Sequence, residues 1–169
     1  MLIPPANALD ERLPGSVTGP LALDDVDELI VLQRACWVQE AIANDTLDTP
    51  PLHETREDVL ADAAQWDTVV VRVGHRLVAA VRGRLDGDAW DVGRLMVAPD
   101  LAGRGVGSAL LELAESLAPS EATHFALFTG ARSERNIRTY ERAGYRVEPQ
   151  DDEARAHGIV RLTKPIVRD

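Results

Sequence analysis

Residues 94–108 read RLMVAPDLAGRGVGS. An apolar stretch runs to Pro99, and three glycines follow at positions 103, 105 and 107. Glycine permits sharp turns and lets the backbone approach a ligand closely. Apolar residues at helical spacing begin after Ser108, so we expect the glycines to join a strand to a helix N-terminus. Unpaired N–H groups and the helix dipole at such a junction favour a phosphate or pyrophosphate.

Two familiar phosphate-binding loops differ from this one. A P-loop ends in Gly-Lys-Ser/Thr, whereas this loop ends in Gly-Val-Gly-Ser. A dinucleotide fingerprint has the spacing GxGxxG within a parallel unit, whereas the spacing here is GxGxG and follows a predicted antiparallel meander. A nucleotide-dependent oxidoreductase is therefore a minor hypothesis. For the loop alone, a turn without any ligand is a further alternative.

The elements around the loop predict an α+β (mixed α/β) fold. Helical spacing predicts helices over 26–43 and 55–65, separated by a breaker-rich loop. β-Branched runs with short turns predict antiparallel strands over 68–73, 77–85 and 89–97. After the loop, the pattern predicts a helix over 108–118, a strand over 124–129, a helix begun by Ser133, and two final strands. We assign residues 17–169 to one domain and residues 1–16 to an irregular extension.

Composition restricts the class of protein. Hydrophobic residues make up 45% of the 169 residues, which indicates a sizeable core. The chain has 18 basic and 28 acidic residues and a net charge of −10, so no nucleic acid and no anionic membrane is an expected partner. Cys36 is the only cysteine and the four histidines are scattered, so neither a disulfide nor a metal site is expected. No long apolar run or basic leader is present, so we expect a cytoplasmic protein.

A second group of residues lies downstream of the loop. Asn136 and Tyr140 are four residues apart, so they share one face of a predicted helix. Ile137 and Ala143 are placed to anchor that helix in the core. An amide and a phenol beside apolar anchors suit a polar ligand. The alternative is that Tyr140 is a partly buried core residue and Asn136 supports the helix cap.

Together the two groups resemble the GNAT superfamily of acyl-CoA-dependent N-acetyltransferases. The family has a Q/R-x-x-G-x-G/A loop after its fourth strand, and later N-x-x-x-Y before Gly-Phe/Tyr. The corresponding segments here are 102–107, 136–140 and 144–145, and the resemblance is strong over about 68–145. It implies a twisted, mostly antiparallel sheet of six to seven strands with about four helices, splayed between strands 4 and 5. Ala102 departs from the family's Gln or Arg, which removes a side chain but leaves the backbone amides.

The resemblance implies that acetyl-CoA, or a related acyl-CoA, is the co-substrate. The pantetheine arm would pair beside Met96 and Val97, Asn136 would hydrogen-bond that arm, and the Val97 amide would polarise the thioester carbonyl. The amides that would hold the pyrophosphate are those of Gly103, Arg104, Gly105, Val106, Gly107 and Ser108.

Tyr140 matches the family's general acid, which protonates the departing thiolate. The candidates for the general base are Asp91, Glu40 and His53, each of which has an ordinary surface or loop role as its alternative. The acceptor pocket is expected near the first helix, with Trp37, Glu40 and Trp90 as candidate contacts. Asp45 and Asp48 would make its mouth acidic, which suits a cationic amine, although Trp37 has a core role as its alternative. Cys36 is interpreted as a small buried hydrophobe.

These residues favour an enzyme that transfers acetyl directly to a primary amine of a small molecule or peptide. The alternative is a non-catalytic GNAT-fold module that binds acyl-CoA or a partner. Tyr140 favours the enzyme and Ala102 the module. The resemblance also allows a homodimer, although no segment marks an interface.

Overall fold

A computed structural model of the chain describes residues 7–149 and 158–167. In these ranges, seven strands form one sheet in the order β1-β2-β3-β4-β5-β7-β6. The strands are β1 Ser16–Pro20, β2 Asp67–Val73, β3 Arg76–Asp86, β4 Ala89–Val97, β5 His124–Gly130, β6 Arg146–Val147 and β7 Ile159–Pro165. The helices are α1 Asn7–Arg12, α2 Val26–Asn44, α3 Pro50–His53, α4 Arg56–Ala63, α5 Val106–Ser116 and α6 Glu134–Arg142. The mixed α/β fold is confirmed, and the short α1 and α3 account for the two helices beyond the predicted four.

The sheet is antiparallel except between β4 and β5. Those two strands are parallel and are paired only where Ala89–Asp91 meet His124–Ala126. Beyond this point β4 bends, because its register with β3 shifts next to Arg82 and Arg94 adopts a left-handed φ of +50°. The two strands separate there, as the resemblance implied, and the sheet opens into a cleft.

Helices cover both faces of the sheet. On one face, α1, α5 and α6 pack against a large apolar core that includes Trp90, Leu110 and Leu162. On the other face, α2 and α4 cover a smaller core around Leu29, Val59 and Met96. The α5 helix forms here because Leu110, Leu113 and Ala114 line one side at helical spacing. Helix α5 therefore carries the glycine loop on a well-anchored element.

Part of the segment expected to be irregular is helical. Asn7–Arg12 form α1, and Leu9 and Leu13 on either side of Arg12 are buried in the larger core. The prolines and glycines around these residues favoured an irregular segment in the sequence. The burial of Leu9 and Leu13 depends on the contact of α1 with α5. Within the described residues, none of the helices combines the length and the apolar character that a membrane span requires.

Candidate active site

A cleft of about 1570 Å³ opens where β4 and β5 separate. Its walls come from α2, the segment after α2, the end of β4, the glycine loop, the end of β5 and α6. Of the residues predicted for the site, the cleft lining includes Trp37, Glu40, Val97, Gly103, Gly105, Val106, Gly107, Ser108, Asn136 and Tyr140. Residues more than 100 positions apart in the chain therefore face one space.

The glycine loop ends at the N-terminus of α5. Gly103 and Gly105 have φ values of +81° and +77°, a region that only glycine enters without strain. The first helical hydrogen bond is donated by the Ala109 N–H to the Gly105 carbonyl, at 3.2 Å. The amides of Val106, Gly107 and Ser108 precede that bond, so they have no acceptor within the helix. The loop therefore presents an anion-binding helix terminus to the cleft.

The backbone of Val97 faces the gap between β4 and β5. The Ala98 N–H donates to the Val78 carbonyl at 2.8 Å, and Ala79 lies opposite Val97. Hydrogen-bonded and non-hydrogen-bonded pairs alternate along an antiparallel ladder, so the N–H and C=O of Val97 point away from β3. The Val97 carbonyl accepts a hydrogen bond from the Cys36 thiol at 3.2 Å. Its N–H is thus aimed toward the cleft.

Met96 differs from its predicted neighbour Val97. Its side chain is fully buried beneath α2, and the same alternation turns its backbone toward Ala80 of β3. Of the two residues predicted to pair with a pantetheine arm, Val97 is the one whose backbone faces the gap. Met96 contributes to the site by packing.

Glu40 joins the two walls of the cleft. Its carboxylate accepts hydrogen bonds from the Ser133 hydroxyl at 2.5 Å and from the Asn136 side-chain amide at 2.8 Å. Glu40 lies on α2, whereas Ser133 and Asn136 lie at the start of α6. The predicted base candidate and the predicted ligand-binding amide are therefore in direct contact.

Asn44 adds a second link between the same walls. Its side-chain amide donates to the Ser133 hydroxyl and to the Glu40 carbonyl, both at 2.9 Å. Its side-chain oxygen accepts from the Arg132 N–H at 3.1 Å. We call Glu40, Asn44, Ser133 and Asn136 the α2–α6 clamp. Ser133 was predicted to cap α6, but its side chain makes no cap hydrogen bond and serves the clamp instead.

Tyr140 lies in the cleft one turn beyond Asn136. Burial raises the pKa of Tyr140 to about 12, and the negative charge of Glu40 acts in the same direction. The phenol therefore remains protonated throughout the neutral range and is able to donate a proton. Its ring centroid is 6.1 Å from that of Tyr145, which is buried in the core behind it.

The part of the cleft around Trp37 contains a cation that was not among the predicted site residues. The Arg94 guanidinium lies 5.2 Å from the centre of the Trp37 ring and forms an ion pair with Glu54. Glu54 also accepts a hydrogen bond from the Gln33 amide at 2.8 Å. Arg94 was assigned to a strand, and only the bend in β4 brings its side chain to Trp37. The cleft next to Trp37 therefore contains a positive charge as well as acidic side chains.

Besides Met96, the exposed Arg104 and Asp45, three more predicted residues lie outside the cleft lining. Trp90 is buried in the larger core, where its indole N–H donates to the Ala114 carbonyl at 2.9 Å. Asp91 lies at the paired end of β4, 3.7 Å from Arg84, and burial raises its pKa. A ring nitrogen of the exposed His53 lies 2.8 Å from the Leu47 carbonyl. The prediction for Trp90 was wrong, because residue 90 points to the α5 face of the sheet.

Metal-ligating residues are not clustered here: within 7–149 and 158–167, no group of three or more His, Cys, Asp or Glu side chains is placed to hold a metal ion. The chemistry that the arrangement offers is anion binding at the α5 terminus, a backbone donor at Val97, and a protonated phenol at Tyr140.

Comparison with solved structures identifies close matches in fold. The PaiA N-acetyltransferase of Thermoplasma acidophilum, solved in complex with coenzyme A, superposes with a TM-score of 0.77 at 15% identity and covers 89% of this chain and 99% of its own. The GNAT domain of S. lividans PAT gives 0.71 at 22% identity over 89% and 90% of the two chains. The ribosomal-protein-S18-alanine N-acetyltransferase of Escherichia coli gives 0.68 at 15% identity over 91% and 96%.

Identities this low show a shared fold and nothing finer. No curated protein matches the sequence. The family model for the acetyltransferase (GNAT) family matches residues 27–145, which is well over half of the chain and includes the glycine loop, Asn136 and Tyr140. The chain therefore belongs to the GNAT acetyltransferase family.

Proposed function

We propose that this protein transfers an acetyl group from acetyl-CoA directly to a primary amine of a small molecule or peptide. The observation that carries the proposal is the separation of β4 from β5 beside the glycine loop. It leaves the Val97 N–H facing a cleft that begins at an anion-binding helix terminus. A ligand with a pyrophosphate at one end and an amide-bearing arm at the other fits both features.

The donor would bind along this line. Its pyrophosphate would lie on the amides at the start of α5, and its pantetheine arm would enter the gap as an added strand. The Val97 N–H would then donate to the thioester oxygen, whose negative charge grows as the amine attacks. The coenzyme A held by the Thermoplasma acidophilum neighbour supports this choice of donor.

The chemistry needs one proton donor and one proton acceptor. The amine nitrogen bonds to the carbonyl carbon, the C–S bond breaks, and the CoA thiolate takes a proton from the Tyr140 hydroxyl. The pKa of about 12 keeps that hydroxyl protonated before the thiolate forms. Burial also raises the pKa of Cys36 to about 11, so its thiol stays protonated, which favours direct transfer over an acyl-enzyme.

Glu40 is our candidate for the group that removes the proton from the amine. It lines the cleft, whereas Asp91 and His53 do not. Both of its hydrogen-bond partners donate to it, and each carboxylate oxygen keeps a further lone pair for an amine or a bridging water. Asp48, which also lines the cleft, adds negative charge that suits a cationic acceptor.

The test has two stages. A thermal-shift titration compares acetyl-CoA and CoA with NADH and ATP, since a ligand that binds only the folded state raises its melting temperature. A screen of amines for CoA release then follows. We expect shifts with acetyl-CoA and CoA alone, and turnover with at least one amine. No shift at millimolar acetyl-CoA would contradict the proposal. Binding without turnover on any amine would favour the non-catalytic acyl-CoA-binding module.

A further inference from the structure

Helix α1 brings an arginine to the glycine loop. A Cβ atom placed on Gly105 would lie 3.4 Å from Cζ and Nε of Arg12 and 3.6 Å from its Cδ. Gly105 is the residue that precedes the first turn of α5. The Arg12 guanidinium therefore rests against the backbone at the helix terminus that offers its amides to an anion.

The position of Arg12 is set by the core. Leu9 is fully buried and Leu13 nearly so, and the Leu13 N–H donates to the Leu9 carbonyl at 2.7 Å. Both leucines pack in the same cluster as Val106 and Leu110 of α5. Arg12 lies between these anchors, so its Cα is held near the loop, while the side chain itself is exposed.

The charge of Arg12 is also not neutralised by a partner among the described residues. Within the described ranges, its guanidinium makes no hydrogen bond or ion pair. Arg76, by contrast, is engaged by both carboxylate oxygens of Asp100, at 2.6 and 2.8 Å. In a chain with a net charge of −10, a free guanidinium at this place provides positive charge that Ala102 does not.

We propose that Arg12 binds the pyrophosphate of the acyl-CoA donor, supplying from the N-terminal helix a charged side chain for the glycine loop. The inference rests on the proposed function, because it names a further residue of the same donor site. A guanidinium donates to two phosphate oxygens at once, and such charge-assisted bonds are among the stronger ones in proteins. Arg12 loses no partner when it turns toward the phosphates.

Isothermal titration calorimetry with three donors tests the assignment. Acetyl-CoA carries the pyrophosphate and the 3′-phosphate, acetyl-dephospho-CoA lacks the 3′-phosphate, and acetyl-pantetheine lacks both. We expect Arg12→Gln, which keeps much of the aliphatic stem, to raise the Kd for the first two donors about tenfold. The Kd for acetyl-pantetheine should stay unchanged. Arg12→Lys, which keeps the charge but not the two-pronged geometry, should fall in between.

Two controls separate binding from folding. Arg56→Ala removes one exposed positive charge on the opposite face of the sheet and should leave every Kd unchanged. The melting temperature without ligand should be the same for Arg12→Gln and the wild type, which shows that α1 stays packed. An equal loss for all three donors, or no loss for acetyl-CoA, would overturn the assignment of Arg12. Failure of the wild type to bind acetyl-CoA would instead overturn the proposed function, and this inference with it.

Discussion

Strands β4 and β5 are hydrogen-bonded to each other at one end and separated at the other, and the two ends differ in what they do for the protein. At the paired end, Trp90 is buried under Gly83 and hydrogen-bonded to α5, and the strands are joined by backbone bonds. At the separated end, Val97 faces open space and the α2–α6 clamp joins the walls through side chains. A strand whose partner leaves it has backbone groups to offer a ligand. The paired end holds those groups in position.

Substitutions at the paired end should lower the stability of the protein more than those at the separated end, and Gly83→Ala tests this. A Cβ at position 83 would lie 2.2 Å from Cζ2 and 2.6 Å from Cε2 of Trp90, and the buried indole has no room to move. Overpacking of this kind costs about 3 kcal/mol. Urea denaturation should show that loss in the free energy of unfolding. Gly19→Ala is the matched control, because nothing lies within 4 Å of its Cβ. If the two variants unfold alike, the indole of Trp90 is not held rigidly against Gly83.

At the separated end, Tyr140→Phe should affect chemistry alone. Removal of the proton donor should lower kcat about 100-fold, while the Kd for acetyl-CoA and the melting temperature stay as in the wild type. Because the pKa of Tyr140 is raised to about 12, its protonated form is retained as pH rises, so the wild-type rate should not fall near pH 10 through this group. A parallel loss of binding would make Tyr140 a positioning residue instead.

The clamp should set the geometry of the open end. A Cβ on Gly130 would lie 2.4 Å from Nδ2 and from Oδ1 of Asn44. Gly130→Ala should therefore displace the Asn44 side chain from the clamp. Asn44→Ala removes the same links without adding an atom. We expect both variants to raise the Kd for acetyl-CoA about fivefold, because Ser133, which donates to the Glu40 carboxylate beside Asn136, loses its hydrogen bond from Asn44. An effect of Gly130→Ala alone would place the cause in β5 and not in the clamp.

The smallest effect is expected beside the loop, at the exposed pair of Arg76 and Asp100. Hydrogen bonds from Arg76 lower the pKa of Asp100 from 3.8 to about 2. A carboxylate whose pKa is lowered by folding stabilises the protein above its unfolded pKa and loses that effect as pH falls from about 4 to 2. Asp100→Asn should therefore lower the melting temperature by about 1 °C at pH 7, and the difference should shrink as pH falls to 2 and vanish well below it. A difference that persists at low pH would rule out this ion pair as its cause.

Much of the fold could be predicted because its signals are local. The predicted strand 89–97 matches β4, and the predicted helix 26–43 ends one residue before the last residue of α2. The β-branched run in β2 and the tight turns on either side of β3 are sufficient for the antiparallel meander. The α1 helix could not be predicted, because Leu9 and Leu13 become core residues only when α5 covers them.

The site was predictable only where its residues are neighbours in sequence. Asn136 and Tyr140 share a helix face by spacing alone, and the glycines mark the loop. The contact between Glu40 and Asn136 joins residues 96 positions apart, so no spacing predicts it. Trp90 was misplaced because its side chain points to the α5 side of β4. The contact of Arg94 with Trp37 was missed because the bend in β4 changes which face the residues beyond it point to.

An exposed strand edge normally invites aggregation, because its free N–H and C=O groups accept a strand from any other chain. This sheet has such an edge in its middle, along the end of β4. It lies inside the cleft, between α2 and α6. The walls of the cleft thus leave these backbone groups open to an extended ligand, such as the proposed donor, and limit the access of strands from other chains.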